Sequence, residues 1–182
     1  MNRTNRSAKA STSAKASAVR SAERVSIGLI SDTHGLLRPA VASAFAGVDL
    51  ILHAGDVGGQ GVLQALRRIA PVQAVHGNID DVHDPDLAAE RLVKAGGLTI
   101  HVSHGHEVGR PTPALLLGRY DADVVVFGHS HRALVAKGEN NRLAVNPGAA
   151  GPRRFDLQPS VARLTIEKGV AVVEIVSLAT LD

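Results

Sequence analysis

The stretch VSIGLISDTHGLLRPAVASAFAGVDLILHAGD, residues 25–56, decides the fold. It opens with a β-branched and aliphatic run of strand length, VSIGLIS (25–31), and closes with a second, VDLILHAG (48–55). Between them RPAVASAFAG (38–47) reads as a helix, so the segment spells a βαβ unit and a parallel strand pair. Each strand runs out into polar residues, Asp32 and His34 after the first and Asp56 after the second. If the backbone stays extended past the first strand, Asp32 and His34 point the same way and can grip one cation. Taken singly, D-x-H and Gly-Asp are also common as turns and caps.

Working outward, the same grammar repeats. GVLQALRRI (61–69) has helical apolar spacing at Val62, Leu63, Leu66 and Ile69, and PVQAVHGN (71–78) returns to strand. LTIHVSHGH (98–106) and DVVVFGHSH (123–131) are further apolar runs ending in polar clusters, with TPALLLGRY (112–120) as a helix between them. RLAVNPG, SVARLTIEKG and VAVVEIVSL then read as consecutive strands, with Glu167-Lys168-Gly169 as a hairpin turn. An α/β fold of two mixed sheets packed face to face and flanked by helices satisfies this order.

Composition narrows the chemistry. The 182 residues, 45% hydrophobic, suffice for one compact domain that needs no disulfide or metal merely to fold. With no Cys, thiolate metal sites, redox pairs and thiol nucleophiles are excluded, so a metal must be held by His, Asp, Glu, Asn or backbone oxygen. Aromatic residues make up only 2%, too few for base-stacking platforms. The net charge of +3 is unevenly placed: residues 1–24 carry six Lys or Arg against the single Glu23, while the rest has 14 basic and 16 acidic groups. The segment 1–24, rich in Ser and Ala, is expected to be a disordered basic tail, with the domain proper at 25–182. It also fits the loose description of a transit peptide, but a plain solvated extension or a misassigned start is the preferred reading. No run is apolar enough for a secretory signal or a membrane span, and the expected location is cytoplasmic.

The chemistry sits at five strand ends. Asp32 and His34, Asp56, Asn78, His104 and His106, and the pair His129 and His131 each offer a hard or borderline ligand. Five such signals in order are improbable as independent turns, and in open α/β sheets ligands bind beyond the carboxyl ends of the strands. Asp32, His34, Asp56, Asn78, His104, His129 and His131 are more donors than one ion takes, and suit two divalent ions with a bridging carboxylate. Two ions a few ångströms apart can polarise a phosphoryl oxygen and acidify a water to hydroxide. The chain has no G-x-S-x-G and no phosphate-binding GxxxxGK[ST], so no competing nucleophile or P-loop is indicated.

The ordered set SDTHG, AGD, HGNID, SHGH and FGHSH resembles the calcineurin-like metallophosphoesterase superfamily, and the close spacing with the following NPGA resembles its small YfcE-type phosphodiesterase branch. The likeness runs over roughly residues 25–177. It implies a four-layer αββα sandwich and a metal-dependent phosphodiesterase, with Asp32, His34 and His131 on one ion, Asn78, His104 and His129 on the other, and Asp56 bridging. It implies catalytic parts for Asn78, His104 and Asp56, and Mn²⁺ as the metal, with Fe, Zn²⁺, Ni²⁺ or Co²⁺ as substitutes. The chain departs from many relatives after Gly-Asn, where they carry a proton-donating His and this sequence has Ile79. Asp80 follows and is expected to hold a neighbouring His in place.

Substrate contacts are expected from Asn78, His106 and Arg153 or its neighbour Arg154, in the stretch NPGAAGPRR (146–154) that otherwise reads mainly as a turn, and His53, His76 and His101 are expected to be packed or supporting groups rather than ligands. The acidic stretch around His83 reads as a solvated loop. The leading function is hydrolysis of a small or nucleotide-like phosphodiester. The alternatives are a catalytically weak binding scaffold of the same fold and a nuclease whose basic tail supplies nucleic-acid affinity. An exposed edge among the C-terminal strands would permit homodimerisation.

Overall fold

The computed structural model describes residues 24–154 and 156–179. The expected tail therefore lies outside the described residues, apart from Arg24, which already belongs to the first strand. Strands β1 (Arg24–Ile30), β2 (Leu50–Ala54), β3 (Val72–Val75) and β4 (Leu87–Ala88) run parallel, and β10 (Ser160–Glu167) and β11 (Val170–Ser177) add an antiparallel ribbon beside β1. The order of this sheet is β11-β10-β1-β2-β3-β4. The second sheet has the order β5-β6-β7-β9-β8, built from β5 (Arg91–Ala95), β6 (Leu98–Val102), β7 (Val124–Val126), β8 (Leu134–Lys137) and β9 (Leu143–Asn146). Within it β6, β7 and β9 are parallel, so both sheets are mixed.

Three apolar layers hold four structural layers together. Alternate residues of the two sheets, among them Ile27, Leu29, Leu52 and Leu164 facing Ile100, Val102, Val124 and Val126, interdigitate as the central core. The intervening residues face outward onto helices: Ile30 and Ile51 pack against α1 (Ala40–Ala44) and α2 (Gln60–Arg67), and Val125 and Phe127 against α3 (Pro113–Arg119). Strands buried on both faces read as unbroken apolar runs, which is why DVVVF carries no polar alternation. The arrangement is the αββα sandwich that the resemblance implies. The helices are only 5, 8 and 7 residues long, too short to persist alone, and are held by the faces they bury.

Three short strands were not apparent in the sequence. β4 has two residues, while β5 and β8 alternate between buried or half-buried and exposed positions and carry Lys94 and Lys137 outward, so their apolar signal is halved. The edge strand β4 follows directly on the acidic stretch around His83, which carries no strand itself. Among the described residues no helix is long and apolar enough to cross a membrane.

Candidate metal centre

Every parallel strand that ends in a candidate ligand delivers it to the same end of the sandwich, where the two sheets meet. Asp32 and His34 follow β1, Asp56 follows β2, Asn78 follows β3, His104 follows β6, and His129 and His131 follow β7. The seven side chains form a continuous series. His131 Nε2 lies 3.2 Å from Asp32 Oδ1 and 3.4 Å from His34 Nε2; His34 Nε2 lies 3.8 Å from Asp56 Oδ2. On its other side Asp56 Oδ1 is 3.4 Å from His104 Nε2, which is 3.2 Å from Asn78 Oδ1, itself 3.1 Å from His129 Nδ1. Asp56 thus sits in the middle with one oxygen turned to each half.

The backbone that achieves this is not extended. Asp32, His34, Asp56, His129 and His131 all have left-handed φ, between 46° and 64°. This corrects the expectation that Asp32 and His34 converge through strand geometry: each side chain is aimed by a left-handed residue. For L-residues that conformation costs on the order of 1–3 kcal/mol and persists where surrounding structure dictates it, most often at functional sites. The loops are also pressed together. A Cβ on Gly77 would stand 2.0 Å from Asp56 Oδ1, and one on Gly128 would stand 2.8 Å from Asp32 Oδ2, so only glycine lets these strand exits approach the carboxylates.

The donor set fits divalent cations. Asp32 is fully buried, and neither of its carboxylate oxygens receives a hydrogen bond, the His131 contact at 3.2 Å lacking hydrogen-bond geometry. A buried carboxylate without donors is costly unless a cation balances it. Asp32, His34 and His131 present ligand atoms within 4.8 Å of one another, as do Asp32, Asp56 and His104. His104 Nδ1 donates to the Ala54 carbonyl at 2.8 Å, which fixes the tautomer and leaves the Nε2 lone pair facing the cluster.

Electrostatics follow from this crowding. Burial favours the neutral Asp56 carboxyl, but the His104 ring, the Ile79 amide and His34 outweigh it and hold the group at about 2. Burial likewise opposes charge on His104, yet contact with Asp56 and the field of Asp32 raise it above the ordinary value. His34 is lowered chiefly by burial, with the Arg154 charge adding to the effect. His53, wholly buried, is pushed down to about 4 by desolvation.

The supporting residues are the part that sequence reasoning reached least. Thr33 Oγ1 donates to the Val57 carbonyl at 2.8 Å and therefore accepts from His53 Nε2 at 2.9 Å, which ties the β1 exit to the β2 exit. Asn146, in the NPGA read mainly as a turn, donates through Nδ2 to Gly128 O and Ser130 Oγ and accepts from Gly148 N, bracing the loop of His129 and His131. Asp80 does not hold a His, contrary to expectation: its carboxylate accepts from the amides of Val57, Gly58 and Gly77. His101 stacks on Tyr120 at 3.6 Å and pairs with Glu90 away from the ligand series.

The expected substrate contacts lie at the rim. The His106 ring is 5.3 Å from that of His104 and 6.3 Å from that of His129, centroid to centroid. Asn78 is exposed, and Ile79 beside it is half exposed. Arg153 and Arg154 line a shallow depression with His131, and of the two Arg154 is the one whose charge reaches His34.

Comparison with known proteins places this architecture. The calcineurin-like phosphoesterase superfamily domain matches residues 25–169. A probable metallophosphoesterase of Methanothermobacter thermautotrophicus is 36% identical over 151 residues, which cover 78% of this chain and 87% of that protein. Among solved structures, the phosphoesterase YfcE of E. coli superposes with a TM-score of 0.61 at 21% identity, covering 87% of this chain and 96% of the other. Vps29 of Entamoeba histolytica in complex with Zn²⁺ superposes with a TM-score of 0.67 at 21% identity, covering 85% and 99%.

Proposed function

The chain belongs to the calcineurin-like phosphoesterase superfamily, and from that premise we propose that it is a phosphodiesterase dependent on two divalent metal ions. The observation that carries this reading is Asp32, buried and without a hydrogen-bond donor in a cluster with six further candidate ligand side chains. Asp32, His34 and His131 would hold one ion, Asn78, His104 and His129 the other, and Asp56 would face both. Ions bound there supply Lewis acidity to a phosphoryl oxygen and acidify a water nucleophile, with Mn²⁺ the preferred metal and Fe, Zn²⁺, Ni²⁺ or Co²⁺ able to replace it.

The chain's own residues position the ester. Asn78, exposed at the mouth, can turn its amide N–H to a phosphoryl oxygen while its carbonyl faces His104 and His129. His106 and the Arg153–Arg154 pair flank the mouth and supply donors to the remaining oxygens. Ile79 offers no proton to a leaving group, which favours esters whose leaving group departs unaided. A groove of about 570 Å³ shares His131 with the centre and is lined by Arg132, Leu134, Leu157 and Gln158. That size and mixture suit the organic part of a small or nucleotide-like phosphodiester.

The test is metal analysis of the purified protein, followed by paired assays with bis-p-nitrophenyl phosphate and p-nitrophenyl phosphate across Mn²⁺, Zn²⁺, Ni²⁺ and Co²⁺. Preferential turnover of the diester with stoichiometric metal supports the proposal. Inability to take up metal, with no turnover after reconstitution, would favour the scaffold reading. Loss of a DNA- or RNA-cleaving activity on removal of residues 1–23 would favour the nuclease.

A further inference from the structure

We infer that Asp80 is a positioning residue that sets the spacing between the central Asp56 and Asn78 in one half of the metal centre by clamping the exits of β2 and β3 to each other. Its Oδ2 accepts from Val57 N at 3.0 Å and Gly77 N at 2.8 Å, and its Oδ1 accepts from Gly58 N at 2.9 Å. Val57 is the neighbour of Asp56, and Gly77 is the neighbour of Asn78. One carboxylate therefore holds the backbone beside Asp56 and the backbone beside Asn78, of the half formed with His104 and His129. Nothing in the β-ladder does this, because the β2–β3 pairing ends at Ala54 and Val75, before either ligand.

The clamp acts at short range. Asp56 Oδ1 accepts from the Ile79 amide at 3.2 Å, so the two exits are also joined through the ligand itself. The close approach at Gly77, where even a Cβ would meet Asp56, leaves no room for the exits to slide past one another without breaking the hydrogen bonds from the backbone amides to Asp80. Both Asp80 oxygens are occupied as acceptors, which leaves neither free to carry a proton to a leaving group. Outer groups that hold metal ligands in place commonly contribute 10- to 100-fold to metal affinity.

The inference rests on the metal-site reading, and the test separates the two. Mn²⁺ binding to the metal-stripped full chain is measured by calorimetry for wild type, Asp80→Ala and Asp80→Asn, alongside thermal melting and amide exchange at Gly58 and Gly77. Asp80→Ala loses all three bonds and is expected to weaken Mn²⁺ binding about tenfold or more, with faster exchange at both glycines. Asp80→Asn keeps one carbonyl oxygen for Val57 and Gly77 and turns an NH₂ toward Gly58, so a smaller loss, about fivefold, is expected. A purely structural role would lower the melting temperature and leave the Mn²⁺ affinity of the folded protein unchanged, which overturns the inference. An Asn variant as impaired as the Ala variant would overturn it too, by assigning the effect to charge. If Asp80→Ala does not fold, unchanged affinity in Asp80→Asn overturns it alone. Failure of wild type to bind Mn²⁺ would overturn the site reading, and the clamp's purpose with it.

Discussion

The two ends of the sandwich use the same unusual backbone conformation for opposite reasons. At the ligand end, Asp32, Asp56 and three His residues adopt left-handed φ where they are buried or half-buried and crowded by glycine backbones. At the far end, Asn140, Asn141 and Lys168 adopt it in solvent-exposed turns. Asn is tolerant of that region, and a two-residue hairpin turn such as Lys168-Gly169 requires positive φ at both positions. Left-handed residues at the far end therefore close loops. At the ligand end they aim side chains, and the surrounding contacts sustain the strain.

That contrast can be broken or sharpened by measurement. The largest effect is expected at the centre: Asp56→Ala or His129→Ala should reduce kcat on bis-p-nitrophenyl phosphate by roughly a thousandfold, several kcal/mol of barrier, with the far-ultraviolet circular dichroism unchanged. Near-normal turnover would make the ligand end no more functional than the far end.

Next is pH. His53, held at about 4 against 6.5 when unfolded, binds its proton in the unfolded chain first as acidity rises. The metal-free protein should therefore lose stability as pH falls from 6.5 toward 4, by an amount on the order of 3 kcal/mol. Urea melts of His53→Gln over that range should show a flatter dependence.

Asp32→Asn should go the other way on stability. Replacing a buried, donor-free carboxylate by a neutral amide should raise the melting temperature of the metal-free protein by about 2–4 °C, roughly 1 kcal/mol, while abolishing metal uptake. A destabilised Asp32→Asn would mean that the carboxylate serves the fold rather than the site. The smallest effect belongs to the far end: Lys168→Asn, a better residue for its turn, should gain about 0.5 kcal/mol in thermal melts and leave kcat unchanged.

Much of the fold was legible because strands buried on both faces leave long apolar runs. VSIGLIS, VDLILHAG and DVVVF announce themselves in that way. The charged edge strands β5 and β8 do not, since one of their faces is solvent. The seven candidate ligands stood out for a related reason: a packed core has no use for His and Asp at the end of an apolar run. Asp80 and Asn146 were not legible in their roles, because both work by accepting from backbone amides or reaching backbone oxygens, and backbone groups are present at every position of the chain. Arg154 could not be told from Arg153 without knowing which way the loop turns.

By itself the sequence determined which strands end in candidate ligands and that any metal must be held by nitrogen and oxygen donors, since hydrophobic burial sorts apolar runs from polar exits and the chain has no Cys. Tertiary structure alone decided how the ligands meet. Five left-handed residues, glycine contacts tighter than any side chain allows, and amide hydrogen bonds gathered on the one Asp80 carboxylate all depend on loops distant in sequence pressing on one another. No local pattern of residues encodes a distance between two loops.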